Sequence, residues 1–101
     1  MTRSVKWMPD ALEELGQILE YVALDDPDLA LRLIGKIEAA AARLGDLPTG
    51  RPGRVNGTYE KSLPALRYVI VYAMDQTPDG TLDILHLIHA ARNWPRGRWP
   101  N

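Results

Sequence analysis

The chain has 101 residues, no cysteine, 46% hydrophobic residues and a formal net charge of −1 at pH 7. This length and apolar content suit a single core, so residues 1–101 are predicted to form one domain. Without cysteine, disulfides and thiolate metal sites are excluded, which fits a reducing cytosol. The chain shows no apolar run of signal-peptide or membrane-spanning length, so a cytoplasmic protein without a membrane partner is expected.

Charge is divided unevenly between the two halves of the chain. Residues 1–50 hold five Lys and Arg against nine Asp and Glu, and residues 51–101 hold seven against four. A basic region opposite an acidic one suits a polyanion or an acidic protein as a partner. Solvated helices and a frayed tail explain the same charges, so charge alone leaves both explanations open.

The first half of the chain predicts a short strand and two helices. Residues 3–7 are β-inclined, and Pro9 stands where a helix accepts proline as its first residue. Apolar residues then recur at three- and four-residue steps up to Leu24, which predicts an amphipathic helix. The polar positions assigned to its solvent side are Glu13, Glu14, Gln17 and Glu20.

A second helix is predicted from Pro27 to about Gly45. Asp26 can accept hydrogen bonds from the first-turn amides, and Pro27 suits the first turn. Because the connection between the helices is a tight acidic turn, the two form an αα-hairpin. The buried stripe of the second helix is assigned to Leu29, Leu33, Ile37, Ala40, Ala41 and Leu44.

The second half changes to the strand period after a loop at residues 47–53 that holds two prolines and two glycines. Residues 54–63 predict an edge strand in which Gly57 marks a bulge. Residues 66–74 and 81–89 are apolar on both faces, which is typical of central strands joined as a hairpin. Strict alternation in the last strand sets Leu85 and Leu87 on one face against Ile84, His86 and Ile88 on the other.

These elements predict an α+β fold in the order β-α-α-β-β-β. The helical pair is expected to cover one face of a mostly antiparallel, four-stranded sheet and to leave the other face open for a partner. The last strand continues into a tail, residues 92–101, with three arginines, two tryptophans and no acidic residue. A rigid hairpin with such an end is suited to binding a macromolecule.

The histidines and central tyrosines are the candidates for proton transfer. His86 and His89 can titrate near neutral pH, but three residues apart on a strand they point to opposite faces. His86 is interpreted as a hydrogen-bonded interior histidine, and Tyr68 and Tyr72 as core residues with tethered hydroxyls. No metal, cofactor or small-molecule substrate is expected.

Several segments carry a resemblance by their order and spacing. They are Trp7, Ala11, Leu15, Tyr21, Asp25–Pro27, Gly50–Arg54, Leu66–Tyr72 and Leu87–Pro95. Together they resemble the RelE/ParE, or plasmid stabilisation, family of toxins from bacterial type II toxin–antitoxin modules. The resemblance covers nearly the whole chain. It implies a small toxin held inactive by a cognate antitoxin whose C-terminal segment lies over it.

The resemblance implies one of two mechanisms. RelE-like toxins cut mRNA in the ribosome, whereas ParE-like toxins poison DNA gyrase without catalysis of their own. RNA cleavage needs a base, an acid and positive charge on the phosphate. Arg92 matches the phosphate-binding arginine, but Val69 stands where a second arginine belongs. No Tyr, His, Asp or Glu follows Arg92, and arginine cannot act as an ordinary base.

A ParE-like inhibitor of DNA gyrase is therefore the first hypothesis. The residues predicted to contact gyrase or the antitoxin are Arg51, Arg54, Arg92, Trp94, Arg96, Arg98 and Trp99. For Arg51 and Arg54 the alternative of solvated loop charges stays open. A second hypothesis is a RelE-like endoribonuclease acting on the ribosome and mRNA, with Arg92, His89, Lys61 and Arg67 as candidate catalytic residues. A third is a non-toxic family member that binds its antitoxin and represses its operon.

Overall fold

The structure is a computed structural model that describes residues 2–75, Thr77 and residues 80–90. Its elements are β1 (Val5–Trp7), α1 (Pro9–Ala23), α2 (Pro27–Asp46), β2 (Arg51–Pro52), β3 (Tyr59–Leu63), β4 (Tyr68–Met74) and β5 (Leu82–His89). The predicted α+β class with a helical pair is confirmed. Neither helix in this described part of the chain has the length and apolar character needed to cross a membrane.

The sheet has five strands in the order β1-β5-β4-β3-β2, not the four predicted. The additional strand lies in the predicted loop, where Arg51 and Pro52 pair antiparallel with Glu60 and Tyr59. The sheet is also mixed, because β1 pairs parallel with β5 while the other neighbours are antiparallel. A parallel pair needs a long crossover connection, and here the crossover contains the helices and the three other strands.

The strand predicted over residues 54–63 begins later than expected. Residues 53–58 form a turn in which the N–H of Gly53 donates to the carbonyl of Thr58 at 2.8 Å. Gly57 lies in this turn with φ +86°, a conformation that glycine adopts without steric cost. The prediction of a bulge at Gly57 is therefore wrong. The glycine closes the β2–β3 hairpin.

Both helices match their predicted bounds to within one residue. The carboxylate of Asp26 accepts from the N–H of Leu29 at 3.1 Å and caps α2, and Pro27 occupies the first turn. Leu29 is 46% exposed, so its assignment to the buried stripe is wrong. Ala30 takes the inward position in that turn, in phase with Ile37 two turns later.

The main core lies between the helices and one face of the sheet. Its largest fully buried side chains include Tyr72, Ile37, Leu44, Ile70, Leu82 and Ile84. Leu15 and Leu33 pack against them from the helices. The predicted sharing of one core by the helical hairpin and the sheet is confirmed.

A β-bulge in β5 alters the alternation of its side chains. Val71 lies opposite His86 and Tyr72 lies opposite Ile84, so Leu85 is an extra residue without a partner in β4. An extra residue moves every later side chain of that strand to the other face. Strict alternation, which placed Leu85 and Leu87 together, is therefore the wrong prediction for this strand.

The bulge separates two apolar clusters on opposite faces of the sheet. Leu87 joins the main core on the helix side. On the other face is a second-face cluster, which consists of Val69, Val71, Leu85 and Ile88. This face was predicted to be open, but Val71 is 0% exposed and Ile88 is 4% exposed. The expectation of an open face is wrong for these residues.

Candidate functional site

Two of the predicted contact arginines lie around Glu60 at the outer edge of the sheet. Arg51 is opposite Glu60 in the β2–β3 pair and is exposed to solvent. The backbone N–H of Arg54 donates to Oε2 of Glu60 at 2.8 Å, and its Nε lies 3.4 Å from the same oxygen. Glu60 therefore holds Arg54 in place, whereas Arg51 presents its charge outward.

The ribonuclease hypothesis names three residues that the structure describes, which are Lys61, Arg67 and His89. Lys61 is opposite Ile70 in the β3–β4 pair, which places it on the helix side of the sheet. Arg67 is exposed in the turn before β4 and has φ +64°, a conformation uncommon for a residue other than glycine. His89 ends β5, two strand spacings or about 10 Å from β3. Arg67 lies close to this end of β5, because its carbonyl accepts a hydrogen bond from the N–H of Ala90 at 2.9 Å, whereas Lys61 is two strands away from His89.

His89 packs against Tyr68 across the β4–β5 pair. The ring centroids are 5.3 Å apart and the rings are nearly perpendicular, at 84°. Burial, and to a smaller extent the neighbouring Tyr21, raises the pKa of the Tyr68 phenol above its ordinary value. A phenol with a raised pKa stays protonated at neutral pH, so Tyr68 is a poor general base.

Glu14 is a polar residue of the fold that sequence reasoning misplaced. Its Oε1 accepts a hydrogen bond from the N–H of Leu87 at 3.0 Å, and both carboxylate oxygens lie 3.3 Å from Nδ1 of His86. The assignment of Glu14 to the solvent side of α1 is therefore wrong. The interpretation of His86 as a hydrogen-bonded interior histidine is confirmed, since its side chain is 13% exposed.

The need for such a contact follows from unequal strand lengths. β1 pairs with β5 only at residues 82–84, so the same edge of β5 continues beyond the end of β1. The N–H of Leu87 belongs to this continuation, and a backbone amide without a partner is costly when buried. The carboxylate of Glu14 supplies the acceptor. The contact depends on the pairing of the three-residue β1 beside the eight-residue β5, which the local pattern of the sequence does not contain.

The tail residues of the predicted binding surface, which are Arg92, Trp94, Arg96, Arg98 and Trp99, lie outside the described residues. Within the described ranges, no group of three or more His, Asp or Glu side chains is arranged to hold a metal ion. The candidate binding residues that the structure describes are therefore Arg51 and Arg54 at the outer edge of the sheet. The candidate catalytic residues near them are Lys61 on β3 and Arg67 in the turn between β3 and β4.

Comparison with known proteins identifies the family. The family model described as the ParE toxin of the type II toxin–antitoxin system parDE matches residues 5–94. The chain belongs to the ParE toxin family. A relative from Sinorhizobium fredii, the putative toxin Y4kP, is 35% identical over 95 residues, which cover 93% of this chain and 95% of the relative. The predicted membership of the RelE/ParE toxins is confirmed.

Solved structures share the ParE fold seen here. A chain of the chromosomal ParDE toxin–antitoxin system from P. aeruginosa matches with a TM-score of 0.76 at 24% identity, covering 87% of this chain and 96% of that one. A chain of the toxin–antitoxin complex RelBE2 from Mycobacterium tuberculosis matches with a TM-score of 0.59 at 20% identity, covering 88% and 99%. At these identities the likeness is one of fold.

Proposed function

We propose that this ParE-family toxin inhibits DNA gyrase by binding and is neutralised by a cognate antitoxin. The observation that supports the proposal is the position of Lys61 on β3, two strands away from His89 at the end of β5. A ribonuclease needs a proton acceptor and a proton donor within hydrogen-bond reach of one ribose and its phosphate. An inhibitor that acts by binding needs no such convergence.

The surroundings of His89 give further support. Its imidazole lies edge-on against Tyr68, an arrangement that adds packing energy to the end of the sheet. Lys61 is on the neighbouring part of the helix-side face but two strands away from His89. The backbones of β3 and β5 are therefore about 10 Å apart at these two residues, measured across the strands.

The antitoxin is proposed to add a strand at the outer edge of β3. β2 pairs with β3 only at Tyr59 and Glu60, so residues 61–63 have no neighbouring strand on that side among the described residues. Exposed strand edges pair readily with an extended segment of another protein. Arg51 lies at the same edge, so acidic residues in that segment would be attracted to it and binding would weaken with salt.

Expression without the antitoxin tests the proposed target. After induction, gyrase–DNA cleavage complexes and the 5′ ends of translated mRNAs are measured in the same cells, and co-expression of the antitoxin is the control. We expect cleavage complexes to accumulate without codon-associated mRNA cuts. Cuts without cleavage complexes would replace gyrase inhibition by ribosome-dependent RNA cleavage. Normal growth with neither signal would indicate the non-toxic family member.

A further inference from the structure

The turn between α1 and α2 exposes a large share of the apolar side chains at the protein surface. Among the residues that the structure describes, six large hydrophobic side chains are exposed, and four of them lie within residues 21–31. Leu24 is 84% exposed and Tyr21 is 76% exposed, the two highest values of the six. The four residues, which we call the tip patch, are Tyr21, Leu24, Leu29 and Leu31.

The residues of the tip patch lie close together because the connection between the helices is short. Tyr21 and Leu24 are three residues apart on a helical backbone and therefore share one side of α1. Only residues 24–26 connect the helices. Leu29 and Leu31 follow within the first five residues of α2, which span about 8 Å along its axis. Apolar side chains gathered in this way, unlike single ones, are typical of a surface where a partner binds.

The polar residues around the tip patch are acidic. Glu20, Asp25 and Asp28 are exposed, and none of them forms an ion pair with a residue that the structure describes. Asp26 adds the carboxylate that caps α2. Residues 7–31 contain no Lys or Arg that would neutralise these charges. The surface therefore attracts a partner with positive charge and repels nucleic acid and anionic lipid.

The tip patch and the basic outer edge belong to different sides of the molecule. α1 packs beside β5, where Glu14 accepts from the N–H of Leu87. Arg51 and Arg54 lie beside β3, on the other side of the sheet. An acidic antitoxin segment that suits the outer edge does not suit the acidic tip. The two surfaces therefore fit partners of opposite charge.

We propose that the tip patch is the surface by which the toxin docks on a basic, DNA-contacting surface of DNA gyrase. This inference rests on the gyrase inhibition proposed above and adds the residues that make the contact. A protein that holds DNA presents Lys and Arg to the phosphates, and these attract Glu20, Asp25 and Asp28. Tyr21 and Leu24 bury apolar area at the centre, and tyrosine is among the residues that contribute most to binding energy. A toxin on a surface that DNA also uses interferes with the DNA cycle of the enzyme.

Binding of purified variants to the gyrase holoenzyme tests this contact. Dissociation constants and association rates are measured by biolayer interferometry on immobilised gyrase, and the yield of gyrase–DNA cleavage complexes is measured in parallel. Tyr21→Ala and Leu24→Ala should each weaken binding about ten-fold or more. Glu20→Lys should slow association at low salt and have less effect at high salt.

Matched variants elsewhere on the helical pair provide the controls. Leu47→Ala removes a leucine that is 67% exposed at the other end of α2. Glu38→Lys makes the same charge change at an exposed position about three turns from the start of α2. Both should bind gyrase like the parent chain. Circular dichroism of thermal unfolding checks that each variant folds, and Leu24→Ala, at the most exposed position, decides if Tyr21→Ala alters folding.

The outcomes separate this inference from the proposed function. If the parent chain binds gyrase and the folded tip variants bind equally well, the inference is wrong and gyrase inhibition stands. The inference is also wrong if the tip variants keep their affinity for gyrase but lose affinity for the antitoxin or lose self-association in sedimentation. The occupant of the tip patch is then the antitoxin or a second copy. A parent chain that neither binds gyrase nor produces cleavage complexes overturns the proposed function itself.

Discussion

The hydroxyl oxygen of Tyr72 accepts a hydrogen bond from the backbone N–H of Gly50 at 2.8 Å. This contact joins the centre of β4 to the loop between α2 and β2. The Tyr72 side chain is fully buried and stacks on Tyr59, with ring centroids 5.6 Å apart. The predicted tethered hydroxyl is therefore confirmed at Tyr72, and it fixes the loop that leads to the outer edge of the sheet.

The same contact predicts a difference between two glycines. A Cβ on Gly50 would lie 2.5 Å from the Tyr72 hydroxyl, whereas a Cβ on Gly35 meets nothing within 4 Å. Gly50→Ala should lower the free energy of unfolding by about 1–3 kcal/mol through overpacking. Gly35→Ala, the matched control inside α2, should raise it by about 0.5–1 kcal/mol. Urea unfolding measures both, and equal effects would contradict the close approach.

Alkaline pH should destabilise the protein through its buried phenols. Burial, and to a smaller extent Tyr59, raises the pKa of Tyr72, while the N–H of Gly50 acts in the opposite direction. The folded chain thus holds this proton more tightly than the unfolded chain. The resulting stabilisation is complete below about pH 10 and is lost as pH rises through the folded-state pKa.

Tyr72→Phe removes this titration and provides its check. We expect the free energy of unfolding of the parent chain to fall above about pH 10, and that of the variant to fall less steeply. Tyr68, whose pKa burial also raises, contributes in the same direction, so Tyr68→Phe should flatten the curve further. Parallel curves for all three chains would show that neither phenol is linked to folding.

Removal of the Glu14 carboxylate should open the end of β5 locally. Glu14→Ala leaves the buried N–H of Leu87 without its acceptor, which should cost about 1–3 kcal/mol and speed hydrogen exchange at that amide. Glu14→Gln keeps a carbonyl acceptor and should lose less. Glu13→Ala, at an exposed neighbouring position, is the control. Unchanged exchange at Leu87 in Glu14→Ala would contradict the role of this contact.

Truncation of Ile70 should be among the costliest changes in the core. Ile70 is 0% exposed between the helices and the sheet, so Ile70→Ala should lower the free energy of unfolding by about 2–5 kcal/mol. Leu29→Ala, at a position 46% exposed, should lower it by less than about 1 kcal/mol. Chemical denaturation of both variants checks this, and a loss at Leu29 as large as that at Ile70 would contradict the observed burial.

His89→Gln separates binding from catalysis. If the toxin acts on gyrase by binding, this variant should retain most of its effect on growth and on cleavage complexes. A ribonuclease that used His89 as general base should instead lose about a hundred-fold or more in rate. Thermal unfolding of the purified variant is the control, because the contact with Tyr68 also contributes to packing. Loss of toxicity in a folded variant would count against gyrase inhibition.

Local signals in the sequence account for the elements that were predicted correctly. The caps and periodicity around Asp26 and Pro27 define the start of α2 because they act within a few residues of chain. The central strands were predictable because residues 68–74 are apolar on both faces. Fold class follows from such elements once their order is known.

The errors concern properties that arise only when strands pair. The bulge at Leu85 depends on the register between β4 and β5, which a strict period of two does not contain. Glu14 was assigned to solvent because helical periodicity ignores an unpaired amide on a distant strand. The short strand at Arg51 and Pro52 exists through its pairing with β3. Of the predicted binding residues, the sequence identified the charge of Arg54 but not its attachment to Glu60.

The parallel pairing of β1 with β5 also constrains the order of synthesis and folding. Val5, near the start of the chain, lies opposite Leu82, so this pair cannot form until most of the chain has been translated. Contacts between such distant segments slow folding, because a long loop must close first. Until β5 is available, α1 and α2 lack the strand on which both pack, and Ile37 stays without its full cover. A ribosome-bound fragment that ends before Leu82 therefore cannot complete this fold.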